Sequence, residues 1–397
     1  MKKIVVVSEY FYPSTRTDAR LITQIAIKFL QIDDVEIEVI STIPLGKAKE
    51  LDGFKDKIIR LKYTTLNNSN IITRVFKFLI LTFRLSLETI KTVKKTDIVF
   101  STTNPAFLIP ILVLLKKIIG FKYVLLVYDV FPENLSSANL LNSKSIFYKL
   151  IKKIYDWAYT NVDTLVVIGR DMKDIVEMKT NHIPSIKVIE NWCDYKTITP
   201  TLKEDSKIIK DLDLVDKKVF TFSGNLGRVQ GIKNLLEASL LVKDKDFRLL
   251  FIGTGALQKE IENFIKEHKS LKVVYAGAFP IEMQNDFLNA CDISIISLAS
   301  SMYGLGVPSK SYYNMAAAKP LLYIGDKNSE ISLVIKEHQI GWSIEPDKPN
   351  ELAILIDSIC NDFASIKIVG ERSRKIVKRY FSQDVILKKY KELISEV

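Results

Sequence analysis

Short apolar, β-branched runs recur along this chain at 4–7, 35–40, 58–61, 97–101, 123–128, 165–168 and 188–190, each separated from the next by a stretch of helical periodicity. Runs that are apolar at every position belong to strands covered on both faces. Strands alternating with helices of about 10 to 15 residues build parallel sheets with crossover helices. The pattern predicts an α/β, doubly wound domain over residues 1–195. Polar and charged residues, Pro200 among them, then fill 194–217 and predict a linker. The alternation restarts at 219–223, 249–252, 273–276, 293–298, 321–324 and 342–344, which predicts a second domain of the same class over 196–379. The tail is helical, breaks near Phe381-Ser-Gln in the manner of an N-cap, and is expected to return its last helix, 380–397, to the first domain.

The chain is long enough, at 397 residues, to bury two cores. Cys193, Cys291 and Cys360 are scattered without metal-ligand spacing, which fits a reducing, cytoplasmic compartment. The opening Met-Lys-Lys-Ile-Val-Val-Val reads as a first strand, not a signal peptide, since Ser8 and Glu9 end its apolar core. The longest apolar run, 106–115, is half of the roughly 20 residues a membrane span needs. The net charge of +11 is placed unevenly: residues 1–190 hold 28 Lys and Arg against 19 Asp and Glu, and residues 51–125 hold 13 against 4. That excess predicts peripheral contact with an anionic membrane surface. No nucleic-acid motif accompanies it. The stretch 71–95 mixes bulky apolar groups with cations, and is either a helix lying on such a surface or a core helix with snorkelling lysines.

Open α/β sheets bind ligands in the loops beyond the carboxyl ends of their strands. In the second half, Ser223-Gly-Asn-Leu-Gly-Arg-Val-Gln-Gly231 leads into a helix near Ile232 and offers free backbone N–H groups plus Arg228 to an anion. The competing reading is a tight turn with a solvated arginine. Gly253 and Gly255 follow the next strand and could admit a phosphate, while the backbone around Ala278 and Phe279 could meet a base edge; each loop is also an ordinary βα turn. In Gly304-Leu-Gly-Val-Pro-Ser-Lys310, Pro308 suits a first helical turn and Ser309 a cap, which would aim Lys310 at the same ligand.

In the first half, Asp129 and Glu133 follow the 123–128 run and suit sugar hydroxyls or acid and base work, the alternative being a capping Asp and a surface Glu. The aromatic and hydroxyl-rich loop 10–20 could line an acceptor pocket with Tyr12, Arg16, Thr17 and Arg20. His182, His268 and His338 lie far apart and assemble neither a triad nor a metal site by spacing. Asp211-Leu-Asp213 matches a bare D-x-D in a polar stretch and is read as chance.

Four blocks carry a family resemblance: 223–231, Tyr128-Asp-Val-Phe-Pro-Glu133, Glu190-Asn-Trp-Cys-Asp194, and Pro308-Ser-Lys310 with the following Ala-Ala-Ala-Lys-Pro-Leu-Leu. Together they resemble the family 4 glycosyltransferases over essentially the full length, and are most similar to the capsule and O-antigen subgroup that includes N-acetyl-L-fucosamine transferases. The resemblance implies a GT-B fold, two Rossmann-like domains facing each other across a cleft. It further implies retaining, metal-independent transfer from a UDP-sugar, a substrate and not a cofactor, to a lipid-linked saccharide at the cytoplasmic membrane face. The family's two glutamates fall on Leu305 and Tyr313, its Arg and Lys clamp on Asn225 and Gln230, its His-Asp pair on Tyr128-Asp129, and its first-loop glycines on Arg16-Thr17, with Arg20 retained.

The subgroup likeness implies that Arg228 and Lys310 supply the missing charge and act in catalysis with Asp129. Gly224, Asn225, Gly253, Phe279, Ser309, Tyr313 and Glu330 complete the expected donor site. Tyr12, Arg16, Thr17, Arg20, Asp129 and Glu133 form the expected acceptor site. Two further readings stand beside transfer: a UDP-sugar epimerase of the same fold, and a catalytically silent nucleotide-sugar-binding subunit.

Overall fold

The apolar runs fold as parallel strands buried on both faces: Ile4, Val5, Val6 and Val7 of the first run are fully enclosed. The computed structural model describes residues 2–14, 16–42, 51–54, 56–62, 71–269 and 271–397; Thr15 of the 10–20 loop and the side chains of Ile71, Ile72 and Arg74 lie outside the described set. The chain divides into two units, one formed by Met1–Ile189 with Leu387–Val397 and the other by Glu190–Ile386.

The first unit runs β1 (Lys2–Val7), α1 (Thr17–Leu30), β2 (Val35–Thr42), β3 (Ile58–Leu61), α2 (Ile71–Thr92), β4 (Ile98–Thr102) and α3 (Leu108–Ile119). It continues through β5 (Lys122–Val127), α4 (Glu133–Ser137), α5 (Ile146–Thr160), β6 (Thr164–Val167), α6 (Arg170–Thr180) and β7 (Ser185–Val188). The strands pair in parallel in the order β3-β2-β1-β4-β5-β6-β7. The order reverses between β1 and β4, so the loops leaving those strands diverge and open a crevice at their carboxyl ends. Strand β7 starts three residues before its expected position. It is an edge strand whose Ser185 and Lys187 face solvent, so its apolar pattern alternates and is short.

The second unit runs α7 (Lys207–Asp211), β8 (Lys218–Ser223), α8 (Ile232–Leu241), β9 (Phe247–Ile252), α9 (Gln258–His268), β10 (Val273–Tyr275), α10 (Gln284–Asn289) and β11 (Ile293–Ser297). Next come α11 (Lys310–Ala316), β12 (Leu321–Ile324), α12 (Glu330–His338), β13 (Gly341–Ile344), α13 (Pro349–Asn361), α14 (Ile366–Tyr380) and α15 (Gln383–Glu396). Its parallel sheet has the order β10-β9-β8-β11-β12-β13, with the reversal between β8 and β11. The expected linker at 194–217 is corrected by the structure: Ile208, Ile209 and Leu214 pack with Val219, Leu250, Ile252 and Ala290 in a core of their own. Lys203, in the same stretch, is buried and pairs with Asp292 at 2.9 Å. High charge density hid three apolar anchors.

The end of α15 groups with the first unit. There Tyr390 is enclosed with its ring edge-on to Phe100 at 6.2 Å, and Glu396 pairs with Lys187 at 2.8 Å.

Candidate functional site

The loops after β8, β9 and β10 are laced together by their backbones. Gly224 N–H donates to Ile252 O at 2.8 Å, Gly253 N–H to Gly277 O at 2.7 Å, and Leu226 N–H to Thr254 O at 2.9 Å. Gly253 has φ +133°, and a Cβ there would lie 1.9 Å from Gly224 O. The space expected to admit a phosphate at Gly253 is therefore filled by its neighbour's carbonyl. Gly224, also left-handed at φ +130°, opens instead toward Lys310, whose Nζ lies 3.5 Å from where its Cβ would be.

Lys310 is the first residue of α11. Its ammonium sits 3.9 Å above the Phe222 ring and donates to Gln230 Oε1 at 3.1 Å. Among the described residues no carboxylate pairs with it. Burial pulls its pKa down from 10.5 to about 7, since an enclosed ammonium without a counter-charge favours its neutral form. The cation expected at position 230 is thus replaced in space: Gln230 presents its amide oxygen to a lysine that arrives from another strand's loop.

The expectation that Ser309 caps this helix is corrected. Ser309 has helical backbone angles and its side chain makes no capping bond, and the first N–H groups of α11 turn back to Pro308 O and Ser309 O at 3.2 Å. Arg228 opens a short turn, Arg228–Gln230, and is exposed, as is Asn225. Val229 O accepts from Ala299 N–H at 2.8 Å, which ties this turn to the loop after β11. Phe279 is half-buried against the core that contains Leu250 and Ile252, so its ring is a packing group. Glu330 is buried in the first turn of α12, next to Ser329, whose hydroxyl donates to Asp326 O at 2.7 Å and to the Tyr323 hydroxyl at 3.1 Å. Leu305 is buried and Tyr313 half-buried.

In the first unit, Asp129 follows β5. Burial first, and then the charge of Asp18, raise its carboxyl to about 6. Asp18 lies in the first turn of α1 and receives both Arg16 Nε and a terminal Arg16 nitrogen at 3.0 Å, while the Arg16 guanidinium lies 4.1 Å over the Tyr10 ring. Tyr12 N–H donates to Thr23 Oγ1 at 3.1 Å, Thr17 is exposed, and Arg20 is half-buried on α1. The loops after β1 and β5 therefore bring an arginine, two carboxyls and two tyrosines to one end of the sheet.

Glu133 does not join them, and its expected place in the acceptor site is corrected. Both of its oxygens accept from Lys179 Nζ, at 2.9 and 3.0 Å, and one also from Lys152 at 2.6 Å, with Asp156 closing the network at 2.5 Å from Lys179. The Lys179 side chain is only 2% exposed, so Glu133 serves to neutralise a buried cation.

Comparison with known proteins decides the family. The chain is 36% identical over 98% of its length, and 97% of the other's, to the probable glycosyltransferase WbjE of Pseudomonas aeruginosa. Residues 204–376 match the family described as glycosyl transferases group 1. The chain is a group 1 glycosyltransferase. Over 27% of its length and 27% of the other's it is also 27% identical to the putative colanic acid biosynthesis glycosyl transferase WcaI of Escherichia coli. Its fold is shared with Anabaena HepE, solved in complex with UDP, at a TM-score of 0.70 and 15% identity over 100% of each chain. The two parallel-sheet Rossmann-like units of this transferase are those of GT-B enzymes.

Phe222, and within the 10–20 loop Tyr10 and Asp18, join the residues named for the transferase's candidate sites. Phe222 has only a strand's pattern in the sequence, yet its ring carries Lys310. Asp18 and Tyr10 hold Arg16, and Asp18 also acts on Asp129. The only signal for Asp18 was its place in the first turn of a helix, where any acidic residue is favoured.

Proposed function

We propose that this transferase moves an N-acetylated or 6-deoxy sugar, such as N-acetyl-L-fucosamine, from a UDP-sugar to a lipid-linked saccharide. The work belongs to bacterial capsule or O-antigen synthesis at the inner face of the cytoplasmic membrane, with retention of configuration and no metal. The observation that carries the reading is the partly buried Lys310 ammonium, which donates to the neutral Gln230 amide and among the described residues meets no carboxylate, beside the open face of Gly224. A diphosphate placed there supplies the missing counter-charge. Lys310 and the exposed Arg228 then stabilise the charge that develops on the leaving group, in the role a metal plays elsewhere. Gly224 and Asn225 line the diphosphate, and Tyr313 and Glu330 contact donor hydroxyls. The likeness to HepE, solved with UDP, and to WcaI, named for colanic acid biosynthesis, supports the donor class and the pathway class.

In the first unit, Tyr12, Arg16, Thr17, Arg20 and Asp129 take the acceptor. Asp129, with its carboxyl near 6, is the residue there whose charge state changes close to neutral pH. Retaining transfer by front-face attack lets the departing phosphate oxygen take the acceptor proton, so Asp129 orients the acceptor hydroxyl. Titration calorimetry with UDP, GDP and ADP tests the reading. Selective UDP binding that Lys310→Ala and Arg228→Ala each weaken supports it, and binding unchanged in both variants removes the phosphate assignment.

A further inference from the structure

Helix α2 is apolar on both sides, which a helix facing water is not. Its inner side buries Leu81 and Leu85 together with hydroxyls that bond within the helix, Ser86 Oγ donating to Thr82 O at 2.7 Å and Thr89 Oγ1 to Leu85 O at 2.8 Å. Its outer side exposes Phe76 at 58% and Phe83 at 62%, with Ile90 a further seven residues on. That spacing places the three on one stripe, and each is followed by a cation, Lys77, Arg84 and Lys91. A core helix with snorkelling lysines accounts for the buried Leu81 and Leu85 but not for a second apolar stripe left facing outward.

The stripe continues across two neighbours. Crossovers in a parallel sheet are right-handed, so in this strand order α2, α3 and α5 share one face of the sheet. Helix α3 packs between α2 and α5. It exposes Ile118 at 79%, and α5 exposes Phe147 at 62% with Lys149 and Lys153 beside it. Scattered apolar side chains on a surface need no explanation; a face spanning three adjacent helices does.

We propose that the outer face of α2, α3 and α5 seats the transferase on an anionic lipid bilayer, its aromatic and aliphatic side chains entering the acyl boundary and its cations lying among the headgroups. The inference rests on the lipid-linked acceptor proposed above and names the surface that meets the lipid. Charge selects the occupant: a second copy of this face would bring like cations together, whereas anionic headgroups satisfy the cations while the acyl boundary takes the phenylalanines. Among the described residues no helix is long and apolar enough to cross a membrane, so the contact is interfacial.

The test is flotation of the full chain with vesicles of phosphatidylcholine alone or with phosphatidylglycerol, run beside UDP calorimetry and light scattering on the same samples. The chain is expected to float with the anionic vesicles, to be released by high salt, and to partition at least tenfold more weakly as Phe76→Ser/Phe83→Ser and as Ile118→Ser/Phe147→Ser, with UDP affinity and melting temperature unchanged. Flotation that ignores lipid charge or both double variants overturns the proposal, and so does a dimer that both variants dissociate. Lost UDP binding with flotation intact would count against the donor site and leave this face standing.

Discussion

Lys310 ties the donor site to pH. With its folded pKa near 7 against 10.5 ordinarily, the unfolded chain binds more protons than the folded one between those values. This group therefore makes stability rise as pH rises from 7 toward 10.5, and its penalty is fully present below 7. A bound diphosphate restores the proton, so UDP binding at pH 8 is expected to take up close to one proton per site. Calorimetry in buffers of different ionisation enthalpy reads this directly, and Lys310→Ala should abolish the uptake and weaken binding by about 10- to 100-fold, the range of a lost charged hydrogen bond. Asp129 runs the other way. Its carboxyl near 6, raised from 3.8, lets the folded chain hold a proton that the unfolded chain has released, so its contribution falls as pH rises from about 4 to 6. Asp129→Asn is expected to gain about 1 to 2 kcal/mol at pH 7 in urea unfolding while transfer falls. The motif containing Lys310 was legible as a helix start in a strand-following loop. Its pairing with Gln230, 80 positions away, was not, because nothing local encodes which loops a sheet will set side by side.

At the scale of elements, glycine and charge acquire roles that spacing does not show. Gly253 reads as a place for a ligand and serves as the point where the loops after β8 and β9 touch. A methyl group there would meet Gly224 O at 1.9 Å on a left-handed backbone. Gly253→Ala is expected to lose upward of about 2 kcal/mol and most UDP affinity together, checked by thermal melts beside calorimetry. Glu133 reads as a cleft carboxylate and is the counter-charge of Lys179. Glu133→Ala should cost about 1 to 2 kcal/mol, the scale of a lost charged hydrogen bond, because Asp156 stays 2.5 Å from Lys179, and should leave UDP affinity unchanged. A role in holding acceptor would instead show as a raised KM at unchanged stability. The stretch around Lys203 has the composition of a linker for a related reason: composition averages over residues, and three apolar anchors among many charges suffice to fold it onto β8 and β9.

For the whole molecule, the last helix carries a testable consequence of the fold. Tyr390 closes the first unit's core against Phe100, which also packs edge-on with Phe29 at 5.4 Å. A chain ending at Ile386 is expected to lose about 3 to 5 kcal/mol from that unit, the scale of removing a buried aromatic side chain, while the second unit holds. Hydrogen exchange should show β4 protection falling with β8 unchanged. The class of fold and the number and approximate places of the strands were legible locally, because central strands such as β1 and β5 are covered on both faces and so are nearly continuous apolar runs, while edge strands such as β7 left a weaker mark. It took the folded chain to show that Lys310 meets Gln230 over Phe222, that Asp18 acts on Asp129, that Glu133 is held by Lys179, and that α2 turns phenylalanines outward. Each of those depends on which distant segments share a neighbourhood, and burial energy rewards many pairings that local periodicity cannot tell apart.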